Sequence, residues 1–433
     1  MGTFLIHTFG CRAAQAESAA LGGLLCERGL VVAARPETAD LVIVNTCTVT
    51  ASADEDARQF IRRIHRLNPE ARIIVTGCYA QRAPQELAAL PGVCAVVGHS
   101  DRDRLPELAR QLVEGSPREP QLMVRDVHAY PPEGWVMTAG VVEDRVRPVL
   151  KIQDGCSHRC SYCIIPLVRG RSRSAPLELV LEQVRRLAEQ HCEIVLSGID
   201  LGSWGRDLRP RLRLVDLVER LLAETPVRRL RLSSIEPLEW DQELLELVAS
   251  SSRIAHHIHM PLQSGSDAIL RRMRRRYRVR HYVDRVLTAR RLMPEAAIGA
   301  DVLVGFPGET DQDFEQTVNV IESLPLTYLH VFTYSPRPGT EAAQMPNQVP
   351  RQVRQERNRI LRELAARKNL EFRRQMIGRK LSVVTLGENR LALSDNYLKV
   401  HLREQWPPNQ LIEVWIGGLA PDGLEEAPSP PRG

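Results

Sequence analysis

At 433 residues the chain is too long for one hydrophobic core, and two or three domains are expected. Its 43% hydrophobic and 26% charged residues are those of an ordinary globular protein, and its net charge of +5 is modest. No apolar run approaches the roughly 20 residues needed to span a bilayer, which excludes a membrane-spanning class.

The start, MGTFLIHTFGC, lacks the charged region and cleavage site of a signal peptide, and Ile6 stands where a myristoylated chain has serine or threonine. A cytoplasmic location without membrane attachment is therefore expected. There the nine cysteines should be ligands or buried side chains rather than disulfide partners. Only four of the 58 basic residues are lysine (Lys151, Lys368, Lys380 and Lys399), a bias that base composition alone can produce.

Along residues 1–115, apolar runs end in a turn and a cysteine three times: FLIHTFGC at Cys11, LVIVNTC at Cys47 and RIIVTGC at Cys78. Helical patterns such as ESAALGGLLCERG and DARQFIRRIHRL lie between them, which predicts an α/β domain with a mostly parallel sheet. Such sheets place ligands beyond the carboxyl ends of their strands, where three cysteines can converge. Residues 116–146 are rich in proline and glycine and read as a linker.

Over 147–375, strand-like runs (RPVLKI, CEIVLSG, RRLRLSS, HHIHMPL, AIGADVLVGFPG and TYLHVFTYSP) alternate with helical ones. Six β/α units predict a partial parallel barrel, a (β/α)6 arrangement with its site at the C-terminal strand ends. The segment ends in a long basic helix, PRQVRQERNRILRELAARKNLEFRRQM. Short alternating runs over 376–420 predict a small antiparallel β-barrel of the nucleic-acid-binding type, and 421–433 a disordered tail.

CSHRCSYC, directly after the first barrel strand, carries three cysteines in eight residues: Cys156, Cys160 and Cys163. A zinc site including His158 suffers from the single residue between Cys156 and His158, and a redox pair at Cys160 and Cys163 leaves Cys156 unexplained. Three thiolates can instead hold three irons of a four-iron, four-sulfur cluster, leaving the fourth iron open to polarise a small molecule. Of the other cysteines, Cys26, Cys94 and Cys192 are expected in core packing. The run Arg271–Arg280, with seven arginines around Tyr277, reads first as a solvated helix face and second as an RNA contact. VGFPG is not a phosphate loop, because the lysine and spacing are absent.

C-x3-C-x2-C after the first strand of a partial barrel resembles the radical S-adenosylmethionine enzymes. TFGC, NTCTVT, VTGCYAQ, GCSHRCSYCIIP, RLSSIEP, MPLQSGSD, VGFPGET and SPRPGT, in that order, resemble the methylthiotransferases over nearly the whole chain. The resemblance implies a radical cluster on Cys156, Cys160 and Cys163, with S-adenosylmethionine chelated by its open iron and Tyr162 beside the adenine. It further implies a second, auxiliary cluster on Cys11, Cys47 and Cys78, and a low-potential electron donor of flavodoxin or ferredoxin type. Ser197 and Gly198, a tight turn on the plainer reading, would contact the methionine end of the cofactor. Ser233, Ser234, Glu236, Gln263 and Ser264 are further cofactor-binding candidates at the same barrel face. The C-terminal barrel, with LSDNYLKV, resembles the TRAM domain that grips RNA.

NTCTVT and GCYAQ look most like the branch acting on N6-threonylcarbamoyladenosine at position 37 of the tRNA anticodon loop. Other branches act on isopentenyl-adenosine or on a ribosomal protein. Ala14 departs from the branch, which has asparagine before Gln15. The implied reaction puts a methylthio group on C2 of the adenosine: one S-adenosylmethionine would methylate a sulfur species held at the auxiliary cluster, and a second would supply the deoxyadenosyl radical that takes the C2 hydrogen before that group is transferred. Catalysis would then rest mainly on placing two clusters and one base within reach of each other. A zinc-bearing RNA-binding protein would not explain two open sets of three cysteines. A non-catalytic iron–sulfur scaffold would not explain the polar residues at the barrel mouth.

Overall fold

The computed structural model describes residues 2–115, 120–131, 146–387 and 389–428. The chain divides into two compact units, one of residues 1–144, 149–175 and 335–343, the other of 145–148, 176–334 and 344–433. In the first unit, β1 (Thr3–Thr8), β2 (Val31–Val32), β3 (Leu41–Thr46), β4 (Arg72–Gly77), β5 (Val93–Val97) and β6 (Gln121–Met123) form an all-parallel sheet in the order β2-β1-β3-β4-β5-β6.

β3 lies at the centre of the hydrophobic packing, and its uninterrupted burial is what an apolar run in a parallel sheet requires. Its side chains alternate between two cores. Val42 and Val44 pack with Ile61 and Ile64 of α2 (Ala51–Leu67) and with α3 (Cys78–Arg82) and α4 (Pro84–Ala88). Leu41 and Ile43 pack with Leu21 and Leu25 of α1 (Arg12–Glu27) and with α5 (Leu105–Val113). β7 (Val149–Asp154) returns through α6 (Ile165–Arg169) to an antiparallel pairing with β8 (Arg173–Ser174).

In the second unit, β9 (Glu193–Gly198), β10 (Arg229–Leu232), β11 (His257–His259), β12 (Ala297–Val304) and β13 (Tyr328–Thr333) run parallel in each pairing, with β10 linked to the residues before β11 by one bridge, Leu230 to Ile254. The helices are α7 (Leu177–Ala188), α8 (Leu214–Glu224), α9 (Gln242–Ser250), α10 (Asp267–Arg272), α11 (Val279–Leu292) and α12 (Asp311–Ser323). α13 (Arg351–Gln375) leads into a closed barrel of β14 (Lys380–Thr385), β15 (Leu391–Ser394), β16 (Lys399–His401), β17 (Leu411–Ala420) and β18 (Gly423–Glu426). Arg231 fastens that barrel: it pairs with Glu193 at 2.8 Å and donates to the carbonyls of Asp395 at 2.9 Å and Ser394 at 3.0 Å.

The α/β class, the parallel N-terminal sheet, the six central strands and the small C-terminal barrel are as the sequence predicts. Four expectations are corrected. Residues 421–428 are not a disordered tail: β18 closes the barrel, antiparallel to β17 and parallel to β16, with Leu424 fully buried. GLEE carries too little alternation to read as a strand, and its partners supply the order. Residues 429–433 lie outside the described residues. Within the expected linker, 121–123 form a strand of the first sheet, while 116–119 and 132–145 lie outside the described residues. The arginine run is not one helix face, although Arg271, Arg274, Arg276 and Arg280 are exposed. α10 stops at Arg272, Arg274 has φ +58°, Tyr277 is buried and donates to the carbonyls of Pro261 and Leu262, and Arg275 is buried against Glu236. Finally, Cys26 is exposed because α1 buries the Leu21 and Leu25 face instead; Cys94 is half-buried and Cys192 is buried.

Candidate metal centre

Each N-terminal cysteine follows the carboxyl end of a parallel strand. Cys11 is the N-cap of α1, Cys47 directly follows β3, and Cys78 opens α3 directly after β4. Two glycines let these ends close together. A Cβ on Gly10 (φ +110°) would stand 2.9 Å from Cβ and 3.3 Å from Sγ of Cys47, and one on Gly77 (φ +96°) only 2.4 Å from the Thr46 carbonyl.

Cys47 and Cys78 each feel the neighbouring thiols. Burial, then Cys78 and Cys11, push the Cys47 thiol up to about 12, and burial pushes up Cys78, with Arg169 opposing. Cys47 and Cys78 thus hold their protons unless a metal takes their place, and with the exposed Cys11 at the neighbouring strand end they make a donor set that fits a cationic iron–sulfur group whose binding releases those protons.

Cys78 has a charged neighbour that is fully buried. Arg169, at the end of α6, donates from Nε to Cys78 Sγ at 3.3 Å, from Nη1 to Glu17 Oε1 at 2.7 Å and Asp154 Oδ1 at 2.8 Å, and from Nη2 to Glu17 Oε2 at 3.2 Å. Lys151 reaches the same two carboxylates at 2.8 and 3.0 Å, and Arg102 pairs with Glu17 at 2.7 Å. Against the burial that would raise them, Arg102, Arg169 and Lys151 hold Glu17 well below the usual carboxylate range, and Lys151 and Arg169 do so for Asp154. Arg173 also reaches Asp154 at 3.4 Å, so four cations face two carboxylates and the network keeps a net positive charge beside the Cys78 sulfur. The sequence carries one local signal of this network, Lys151, one of only four lysines, within the apolar run that becomes β7.

The second trio occupies the loop between β7 and α6. Gly155 has φ +68°, and a Cβ there would meet the Arg171 carbonyl at 2.1 Å, so only glycine allows the loop to turn. The Cys156 amide donates to Gly170 O at 3.1 Å, the His158 amide to Cys156 Sγ at 3.4 Å, and the Cys163 amide to Cys160 O at 3.1 Å. All three cysteines, and Tyr162 between them, are half-buried, as a donor set open to a ligand must be. Just past SPRPGT, Ala342 N donates to Ser161 O of this loop at 2.8 Å, while Arg337 within SPRPGT pairs with Asp54 of α2. Arg169 and Gly170, adjacent in sequence, thus touch one cysteine of each trio.

In the second unit, Ser197 and Gly198 end β9, and Ser233 and Ser234 directly follow β10. The Ser233 hydroxyl is buried with no hydrogen-bond partner among the described residues. Glu236 is engaged by Arg275, and the Ser264 hydroxyl by Thr317 at 3.3 Å and the Ser266 amide at 3.1 Å. Gln263, at φ +62°, donates its amide to Asp301 O at 2.8 Å. No helix among the described residues is long and apolar enough to cross a membrane.

Residues 3–98 match the family described as Uncharacterized protein family UPF0004, and residues 150–321 match the Radical SAM superfamily. The threonylcarbamoyladenosine tRNA methylthiotransferase MtaB of Aquifex aeolicus is 37% identical over 95% of this chain and 99% of its own length. That of Bacillus subtilis is 39% identical over 92% of this chain and 90% of its own. A solved radical S-adenosylmethionine methyltransferase, TsrM from Kitasatospora setae, shares the fold with a TM-score of 0.56 at 18% identity, over 79% of this chain and 77% of that one. The matched superfamily implies an iron–sulfur cluster and S-adenosylmethionine. With relatives this similar over nearly their whole length, the chain belongs to the radical S-adenosylmethionine methylthiotransferases, the family of the threonylcarbamoyladenosine tRNA methylthiotransferases.

Proposed function

We propose that this protein converts N6-threonylcarbamoyladenosine in a tRNA anticodon loop to its 2-methylthio derivative. The observation that carries the reading is the full-length similarity to curated enzymes of that name, on a chain that presents two separate trios of cysteines. Cys156, Cys160 and Cys163 would hold one four-iron cluster and Cys11, Cys47 and Cys78 a second; when bound, these supply the electron that cleaves S-adenosylmethionine to a deoxyadenosyl radical and the sulfur to be transferred. The electron would come from a low-potential flavodoxin or ferredoxin.

The chain's own residues supply placement. Gly155 and the Gly170 carbonyl shape the loop of the second trio, while Gly10 and Arg169 hold the first. Ser197, Gly198 and the unpartnered Ser233 are the candidates for cofactor contacts, together with Tyr162, Ser234, Glu236, Gln263 and Ser264. The adenine must leave its stack to react, which costs little in a single-stranded loop.

A second substrate reading rests on one observation: a tRNA-2-methylthio-N(6)-dimethylallyladenosine synthase of Pelotomaculum thermopropionicum is 34% identical over 90% of this chain. Incubating the reconstituted enzyme with threonylcarbamoylated and with dimethylallylated tRNA, in the presence of reductant, sulfide and S-adenosylmethionine, separates the two. The methylthio product should come from the threonylcarbamoylated tRNA; preferential conversion of the other would transfer the assignment and keep the reaction.

A further inference from the structure

The first unit carries a concavity of about 480 Å³ that none of the chemistry above uses. β1 forms one wall. Its residues alternate, so Leu5 and His7, with Phe9 just past the strand end, lie on one side, the face on which α2 packs. α2 presents Phe60 to it. His7 stacks on Phe60 with ring centroids 3.9 Å apart and planes 18° apart, and Phe9 meets Phe60 edge-on at 5.6 Å and 78°. All three rings are half-buried, too exposed for a finished core.

Arg62, Arg63 and Arg66, all exposed, line the same hollow, and Asp56 is the one acidic residue among its lining. Flat aromatic surface beside a cluster of guanidinium groups is the combination that binds single-stranded nucleic acid: bases stack on rings while phosphates meet the cations. An acidic peptide would use the arginines and leave the ring faces without a purpose. A hollow of this size suits a small ligand or a single nucleotide.

Its position adds to this. Phe9 is two residues before Cys11, and its amide donates at 2.8 Å to the carbonyl of Asn45, itself two residues before Cys47. The strand end that lines the hollow therefore carries Cys11 and is hydrogen-bonded to the neighbouring end that carries Cys47.

We propose that this concavity is a single-stranded RNA subsite: it takes an unpaired nucleotide of the tRNA loop close to the base being modified. The base lies against the His7, Phe9 and Phe60 rings, and the phosphates meet Arg62, Arg63 and Arg66. The inference rests on tRNA being the substrate.

The test is fluorescence anisotropy of a labelled anticodon stem-loop titrated with the full-length protein from low to moderate salt. Replacing Arg62, Arg63 and Arg66 together by alanine should weaken binding by at least about tenfold and lower the salt slope by about 2, since each single-strand phosphate contact contributes about 0.7. Phe60→Ala should cost about five- to hundredfold, the range of one base–aromatic stack, and Phe60→Trp should retain affinity. Alanine at Arg185, Arg186 and Arg220, exposed on α7 and α8, removes the same charge elsewhere and should change binding little. Unchanged affinity in the pocket variants, or an equal loss from the control triple, would overturn the subsite. Absence of RNA binding by the unsubstituted protein would instead overturn the substrate reading beneath it.

Discussion

Arg169 donates from Nε to the sulfur of Cys78 at 3.3 Å while its other nitrogens hold Glu17 and Asp154, residues 152 and 15 positions away. One buried guanidinium therefore ties a first-trio cysteine to α1 and β7, and the next residue accepts the Cys156 amide. Replacing Arg169 by methionine should destabilise the protein by about 1–3 kcal/mol, since the buried carboxylates lose its hydrogen bonds while Arg102, Lys151 and Arg173 still face them. Thermal unfolding measures the loss. Arg169→Lys keeps the charge without the planar fork and should fall between the two.

The trios are expected to have separate duties. Cys160→Ala should abolish reductive cleavage of S-adenosylmethionine. Cys47→Ala should leave it and stop methylthiolation, with iron content falling from about eight to about four per chain, one four-iron cluster. Equal loss of cleavage in both variants, with fold intact, would contradict the division.

Gly155 is expected to tolerate no side chain. Alanine there needs φ +68° and a Cβ 2.1 Å from the Arg171 carbonyl, so the loop of Cys156, Cys160 and Cys163 must shift. Gly155→Ala should lose about half of the bound iron while the N-terminal trio keeps its share. Full iron retention would show that the loop can reshape.

Acid should weaken the anchor of the C-terminal barrel. Although burial would raise it, Arg231 holds the Glu193 carboxyl down to about 2, against an ordinary 4.5. A carboxylate with a lowered folded pKa stabilises above its ordinary value and loses that contribution as pH falls toward the folded one. The stability advantage of the unsubstituted protein over Glu193→Gln should therefore be full near neutrality and shrink between about pH 4.5 and 2. Chemical denaturation at stepped pH reads it, and a constant advantage across that window would contradict the pairing.

The sequence made the cysteine-bearing strand ends readable because each is a continuous apolar run stopped by a cysteine, with glycine or threonine just before it, a local signal. The charge network around Arg169 was not readable: its partners lie up to 152 residues apart, and only the folded sheet brings them together. Arg275 and Tyr277 sat in a run whose composition says solvent, yet Glu236 and two loop carbonyls draw them inside. β18 escaped notice for a related reason, since a four-residue strand with one buried leucine is specified by its neighbours.

The most direct test of the central claim is mass spectrometry of nucleosides from tRNA of cells with and without the gene, and with the Cys47→Ala and Cys160→Ala variants restored. The account predicts that 2-methylthio-N6-threonylcarbamoyladenosine is present with the intact gene and replaced by its unthiolated precursor in the deletion and in both variants. An unchanged level of the methylthiolated nucleoside in the deletion strain would contradict it.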